Sequence, residues 1–400
     1  MKITGIVTEY NPFHLGHKFH LENAIKQTDA THIICVMSGN FMQRGIPSML
    51  DKWNRAKMAV LNGVDLVIEL PLIYSTSSAE SFSYGAINIL NNTNVVDSLF
   101  FGSECGDIQS LKSIASVLSN EPSRYKDLLK LELDKGLPFH SARVNSLTSY
   151  LKDDNLKTIL KNSNNILGIE YIKAIERLDS PMKPITIRRE GSFYNDKTLS
   201  TSFSSATSIR EEFFLNSLKN LNSSLPQPSF DLLNSLKNSN YDFVTEEKLF
   251  QFLKFKLLTE NINFSNIPDL KEGIENKILK EISSSMSLDE LITRVKSKRY
   301  TYTRISRILL SIYLSLYEKN IEDIHNSASY IRPLAFNKKG TEILKKIKEH
   351  SQIEIFTKVP KKISNPSLEF DVLGTKAYSL LNTSISPFDD YIKTPFVLIN

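Results

Sequence analysis

The sequence predicts an α/β protein: a parallel β-sheet with helices on both faces, followed by a mainly helical C-terminal region. Over the first 110 residues, short apolar runs rich in β-branched residues alternate with longer segments of helical spacing, the pattern of strand–helix–strand crossovers. Hydrophobic residues make up 41% and charged residues 23%, ordinary values for a chain that buries a sizeable core. A length of 400 residues leaves room for two or three domains.

Residues 3–7, 32–37, 65–70 and 98–101 are short, mainly apolar runs and read as buried strands. Helical spacing separates them over residues 19–26, 52–62 and 79–91, which makes the crossovers right-handed. Residues 107–180 read as mainly helical, with Asn164-Asn165 capping a helix to about Ile175. A further strand is expected over 184–189 and a helix from about Ser205. Residues 220–240, rich in Asn and Ser with Pro226 and Pro228, have the composition of a boundary. That divides the chain into a domain over 1–220 and a helical, basic domain over 241–400. Within the second, residues 246–258, 289–295, 304–317 and 341–349 carry helical spacing; the last fifty residues have no assignable pattern.

No run approaches the roughly 18 apolar residues of a membrane span, and MKITGIVTEYNPF lacks the layout of a signal peptide. With only Cys35 and Cys105, neither a disulfide framework nor a cysteine zinc site is expected, so a cytoplasmic location is the simplest expectation. The net charge of +5 permits a polyanionic partner. It is concentrated: residues 281–350 hold thirteen Lys/Arg against eight Asp/Glu, an excess equal to that of the whole chain. Within that window Arg294, Lys296, Lys298, Arg299, Arg304 and Arg307 interleave with Tyr300 and Tyr302, with no acidic residue among them. Cations for phosphates and rings for unstacked bases suit a folded RNA; the plainer reading is a solvated basic helix face.

In a parallel sheet ligands bind beyond the carboxyl ends of the strands. The first such loop reads Val7-Thr8-Glu9-Tyr10-Asn11-Pro12-Phe13-His14-Leu15-Gly16-His17-Lys18-Phe19-His20. Two histidines three residues apart at a helix start share one face, beside free N–H groups and the positive end of the helix dipole. This is a cradle for a polyphosphate, against the alternative that both histidines only cap and pack. On that reading His14 and His17 are the catalytic pair. Arg210 reaches the distal phosphates, aided by Ser205 and Thr207, whose hydroxyls could equally be helix caps. On the loop after the second strand, Asn40, Gln43 and Arg44 suit a small carboxylate or an extruded base, or else only a polar surface. Trp53 is expected to pack, and Glu80 is either a general base or a solvated helix residue. Mg²⁺ is expected to travel with the phosphates, without a dedicated protein metal site.

The His-x-Gly-His segment resembles the signature of the nucleotidyltransferase superfamily. Tyr10-Asn11-Pro12-Phe13, Ser38-Gly39-Asn40-Phe41-Met42-Gln43-Arg44-Gly45, Phe101-Gly102-Ser103-Glu104, Asn164-Asn165-Ile166-Leu167-Gly168-Ile169-Glu170-Tyr171 and Ser205-Ala206-Thr207-Ser208-Ile209-Arg210 follow in order. Together they resemble the bacterial tRNA(Met) cytidine acetate ligase family up to about residue 215, with a weaker echo in Tyr302-Thr303-Arg304-Ile305-Ser306-Arg307. The resemblance implies a Rossmann-like nucleotidyltransferase domain and a ligase that uses ATP and acetate, not acetyl-CoA. Acetyl-adenylate forms first, and N4 of the wobble cytidine of elongator tRNA(Met) then takes the acetyl group. It also implies ATP contacts from the whole Val7-to-His20 stretch, from Gly102, from one of Asn164 and Asn165, and from Arg188 or Arg189. Glu190 departs from the apolar residue expected there and leaves the choice of arginine open. No protein partner and no membrane are implied. Two other readings are a small-molecule adenylyltransferase of coenzyme biosynthesis and a nucleotide-sensing RNA-binding protein without catalysis.

Overall fold

The structure, a computed structural model, describes residues 1–189, 204–215, 218–271, 273–317, 321, 324 and 329–399. Five parallel strands form its centre: β1 (Ile3–Thr8), β2 (His32–Ser38), β3 (Leu66–Leu70), β4 (Ser98–Ser103) and β5 (Lys183–Arg188). Their order is β5-β4-β1-β2-β3. The chain therefore winds outward from β1 through β2 to β3, then returns to place β4 on the other side of β1. That reversal opens a crevice between the carboxyl ends of β1 and β4, the position where such sheets bind ligands.

β2 shows why these runs become strands. All seven of its residues are buried, and they alternate between the two faces. Ile33, Cys35 and Met37 join one apolar cluster, Ile34 and Val36 the other. The first cluster packs against α1 (Leu15–Thr28) and α2 (Lys52–Leu61) through Leu21, Ala24, Ala56 and Val60. The second packs against three helices: α3 (Ala79–Asn92), α4 (Ile108–Asn120) and α5 (Ser163–Arg177). They meet the sheet through Phe82, Leu90, Leu111 and Ile172. Each fully buried Ile or Leu contributes about 1.5–3 kcal/mol, so both faces must be covered for the sheet to hold.

The expected boundary at 220–240 is not an open linker. It carries α6 (Gln227–Asn238), whose Leu232 and Leu233 enter the α1/α2-side cluster together with Ile209 and Phe213 of the preceding helix Ala206–Leu215. Helically spaced Phe230, Leu232, Leu233 and Leu236 outweigh the Asn/Ser composition that suggested a linker.

Beyond it, α7 (Glu246–Thr259), α8 (Ile274–Ile282), α9 (Leu288–Val295) and α10 (Tyr302–Tyr313) pack around Leu253, Ile278, Leu291, Ile292, Ile305 and Leu309. The chain then returns to the first sheet. Strand Pro333–Phe336 pairs antiparallel with β3, and Phe396–Val397 pairs with that strand in turn. So residues 241–400, expected as one helical unit, divide between a helical cluster and an extension of the N-terminal sheet.

Candidate active site

The loop after β1 turns sharply: Tyr10 has φ +47°, and the Asn11–Pro12 peptide bond is cis. α1 then begins with His14 as its N-cap. The His14 Nδ1 atom accepts from the Gly16 N–H at 3.0 Å, and the His17 Nδ1 atom accepts from the His14 N–H at 3.3 Å. The plainer reading of the sequence, that the histidines cap, thus holds at their Nδ1 atoms. An accepting Nδ1 places the proton of each neutral ring on Nε2, so capping itself prepares two N–H donors. The rings lie 3.8 Å apart between centroids. Burial, followed by the charges of Arg189 and Arg210, lowers the His14 pKa to about 3. Burial and then His14 and Arg189 lower that of His17, and burial and Arg189 lower that of His20 to about 4. The donors are neutral throughout the physiological range.

Arg189, not Arg188, is the arginine whose charge reaches all three histidines. Its chain position is held by its N–H, which donates to the Ser103 carbonyl at 2.9 Å. A Cβ on Gly102 would lie 3.0 Å from Arg189 Cγ, so a side chain there would crowd the arginine at the crevice. Arg188 turns toward Gly106 instead. Arg210 comes from the helix Ala206–Leu215: NH1 donates to the Asn11 carbonyl at 2.9 Å, and NH2 donates to Thr207 Oγ1 at 3.3 Å. No acidic residue occupies the first turn of α1. Two neutral imidazole donors, a helix N-terminus and two guanidinium groups thus surround the β1 end, a set that fits a triphosphate.

Other expected residues hold the frame. Ser205 Oγ accepts from the Ser208 N–H at 3.0 Å, which is a helix cap. Asn165 is buried; its Oδ1 accepts from Cys105 N–H and its Nδ2 donates to the Ile159 carbonyl. The helix α5 starts at Ser163 with Asn162 as its cap residue, two to three residues earlier than Asn164-Asn165 suggested. Its free N–H groups are met by the Glu104 carboxylate, which accepts from Asn164 and Asn165 at 3.2 and 2.8 Å. Asn164 remains half-buried at the crevice, with Nδ2 also on Glu104.

On the second loop, Asn40 is buried, accepting from the Lys52 N–H at 2.8 Å and donating to Thr375 Oγ1 at 3.4 Å. Gln43 ties loops together: its N–H donates to Glu9 Oε1 at 2.7 Å and its side chain to the Ser77 carbonyl at 3.2 Å. Arg44 is half-buried beside them. Gly45, at φ +82°, lies against the backbone of Ser306 and Arg307 on α10, where Ser306 Oγ donates to its carbonyl at 3.0 Å. Trp53 packs beneath Lys52 and Lys393, and Glu80 is exposed near Lys173, at 3.5 Å.

The basic stretch is divided. Lys296, Lys298 and Arg299 are exposed between α9 and α10. Arg294 is paired with Glu290 and Glu281, and Arg304 stacks on Tyr300 at 4.3 Å while donating to the Asp269 carbonyl. Tyr300 is buried with its hydroxyl bonded to Lys271, and Tyr302 donates to Asp289 at 2.9 Å. These rings pack and brace the helices. Arg307 is half-buried, its Nε without a hydrogen-bond partner among the described residues.

Sequence reasoning passed over Arg55, which is fully buried. It donates to the carbonyls of Leu50, Glu9 and Ser38 at 3.1, 2.7 and 3.1 Å, and to that of Gly39. Glu104 was visible only as the end of a motif. Neither had a periodic signal, because their partners lie on other loops. Among the described residues no group of three or more His, Cys, Asp or Glu is placed to hold a metal, and no helix is long and apolar enough to cross a membrane.

Parallel sheet, reversal crevice and His-x-Gly-His turn define a nucleotidyltransferase. The family described as HIGH Nucleotidyl Transferase matches residues 1–390. Relatives called tRNA(Met) cytidine acetate ligase include one from Clostridium novyi, 47% identical, and one from Clostridium perfringens, 45% identical; each match covers 99–100% of both chains. The crystal structure of Thermotoga maritima TmcAL superposes with a TM-score of 0.93 at 33% identity over both full chains. Its form bound with alpha-thio ATP gives 0.90 at 34% identity. The chain belongs to the tRNA(Met) cytidine acetate ligase family, and the likeness runs well past residue 215 into the C-terminal half.

Proposed function

We propose that this chain, acting in the cytoplasm, condenses acetate with ATP to acetyl-adenylate and transfers the acetyl group to N4 of the wobble cytidine in elongator tRNA(Met). The observation that carries the reading is the convergence of His14, His17, Arg189 and Arg210 on the β1 turn. Attack by acetate on the α-phosphate leaves pyrophosphate with growing negative charge, so catalysis rests on positioning and on donors aimed at that charge. The Nε2–H groups of His14 and His17 meet the phosphates, Arg210 the distal ones, and Arg189 beside Gly102 the nucleotide. Thr207 aims Arg210, while Asn165 and Glu104 hold the first turn of α5, from which Asn164 faces the crevice. A Mg²⁺ ion accompanying the ATP would supply charge neutralisation when bound, held by phosphate and water. Lys296, Lys298 and Arg299 contact RNA phosphates, and the contact of α10 with Gly45 joins that region to the second loop. Gln43 and Arg44 line the acetate or base side.

Incubation with ATP, acetate and transcribed elongator tRNA(Met) tests this. N4-acetylcytidine and pyrophosphate should form, and omitting ATP or acetate should abolish the product. Absence of acetylcytidine with all components present overturns the reading.

A further inference from the structure

We infer that Glu9 is the group that takes the proton from the cytidine amine during acetyl transfer, an assignment that rests on the proposed acetate-ligase reading. Glu9 is the first residue beyond β1, so its backbone sits at the crevice between the histidine turn and the second loop. Its carboxylate is held from one side only. Oε1 accepts the Gln43 N–H at 2.7 Å, and Oε2 carries no hydrogen bond among the described residues. The residue is half-buried and forms no ion pair within 4 Å among them, although its charge is felt by the Arg55 guanidinium. Its carbonyl is clamped by Arg55 NH1 at 2.7 Å, which fixes where the side chain starts. Across from it stands buried Tyr171 on α5, within electrostatic reach of Glu9 and packed on Phe101 at 5.6 Å between ring centroids.

The other carboxylates near the crevice are committed elsewhere. Glu104 spends both oxygens on the N-terminus of α5. Asp51 caps α2 and accepts from Tyr241. Glu69 is bound by Lys52 and Arg332, and Glu80 stands exposed near Lys173. Glu9 alone among these combines a place at the β1 end with an uncommitted oxygen.

The chemistry needs such a group. The N4 lone pair forms a bond to the acetyl carbon, and the carbonyl electrons move to oxygen. The nitrogen, now cationic, passes one hydrogen to Glu9 Oε2. Collapse of the tetrahedral adduct breaks the bond to the phosphate oxygen and releases AMP, so the sum is N4-acetylcytidine, AMP and one proton. The nitrogen becomes strongly acidic only after attack, so a carboxylate is a sufficient acceptor.

Glu9→Gln keeps the acceptor for Gln43 and removes the proton acceptor. Acetyl transfer from preformed acetyl-adenylate should fall about 100-fold or more in kcat with little change in the KM for tRNA, a loss at least about tenfold larger than any in acetate-dependent pyrophosphate release without tRNA. Glu9→Asp, which keeps a carboxylate, should recover part of that loss. Equal loss of both half-reactions, unchanged transfer, or no recovery in Glu9→Asp relative to Glu9→Gln would each overturn the assignment. A wild-type enzyme that makes acetyl-adenylate but no acetylcytidine would instead fail the ligase reading itself.

Discussion

The guanidinium of Arg55 donates to the backbone carbonyl of Glu9 at 2.7 Å, across the carboxyl end of β1. The same group reaches Ser38 and Gly39 on the neighbouring loop, so one buried cation holds two loops of the crevice in register. Its acceptors among the described residues are all carbonyl dipoles; burial lowers its pKa, opposed by the charges of Tyr378, Asp51, Glu9 and Glu69. Arg55→Lys keeps a charge but loses the fork. It should destabilise the protein by about 2–4 kcal/mol, since each carbonyl left unmet costs about 1–3 kcal/mol. Acetyl-adenylate formation should slow as the two loops lose register. Urea unfolding and pyrophosphate release check both; an unchanged midpoint would show that the clamp is dispensable.

The histidine turn makes stability depend on pH with a defined sign. In the unfolded chain a histidine binds its proton near pH 6.5, whereas folded His14 and His20 do so only near about 3 and about 4. As pH falls below about 6.5 the unfolded state holds more protons, and each group withdraws about 1.4 kcal/mol per pH unit until its folded pKa is reached. Stability from these groups is complete above about pH 7. Replacing His14 by Asn, which keeps a capping acceptor, should flatten the decline between pH 6.5 and 4.5 relative to wild type in urea titrations. A parallel decline would place the protonation elsewhere.

Exposed Lys298 and Arg299 are expected to behave differently from buried Tyr300. Neutralising both cations should weaken tRNA binding and reduce the slope of log affinity against log salt by about 1.5–2, leaving acetyl-adenylate formation intact. Tyr300→Ala should instead cost about 3–5 kcal/mol of stability, as an aromatic lost from a packed cluster. A salt slope that stays at the wild-type value would place the RNA on another face.

Below the crevice, Glu69 of β3 accepts from Lys52 at 2.7 and 3.0 Å and pairs with Arg332 at 3.2 Å. Asp390 joins the same two cations at 2.9 and 2.6 Å. Burial alone would raise the Asp390 carboxyl, but Lys52 and Arg332 outweigh it and hold it low, at about 2. Asp390→Asn leaves two buried cations with one carboxylate. The expected loss is about 3–5 kcal/mol, read as a lower urea midpoint. A loss under 1 kcal/mol would mean that Glu69 suffices.

The sequence by itself determined the four strands β1 to β4, because strands buried on both faces are mainly apolar runs, and β2 is buried along its whole length; it also placed β5, an edge strand with no buried residue. It also determined the His-x-Gly-His turn and Arg210, since a helix start with paired donors is a local pattern of spacing. What only the tertiary structure decided is long-range. Whether Arg188 or Arg189 faces the histidines depends on β5 lying beside β4. Asn40 became a buried brace because Thr375, more than three hundred residues away, folds against it. Tyr300 joined a core, and Pro333–Phe336 joined the first sheet, through partners that no local window contains. Periodicity records which side of a strand or helix is dry; it carries no address for the surface that dries it.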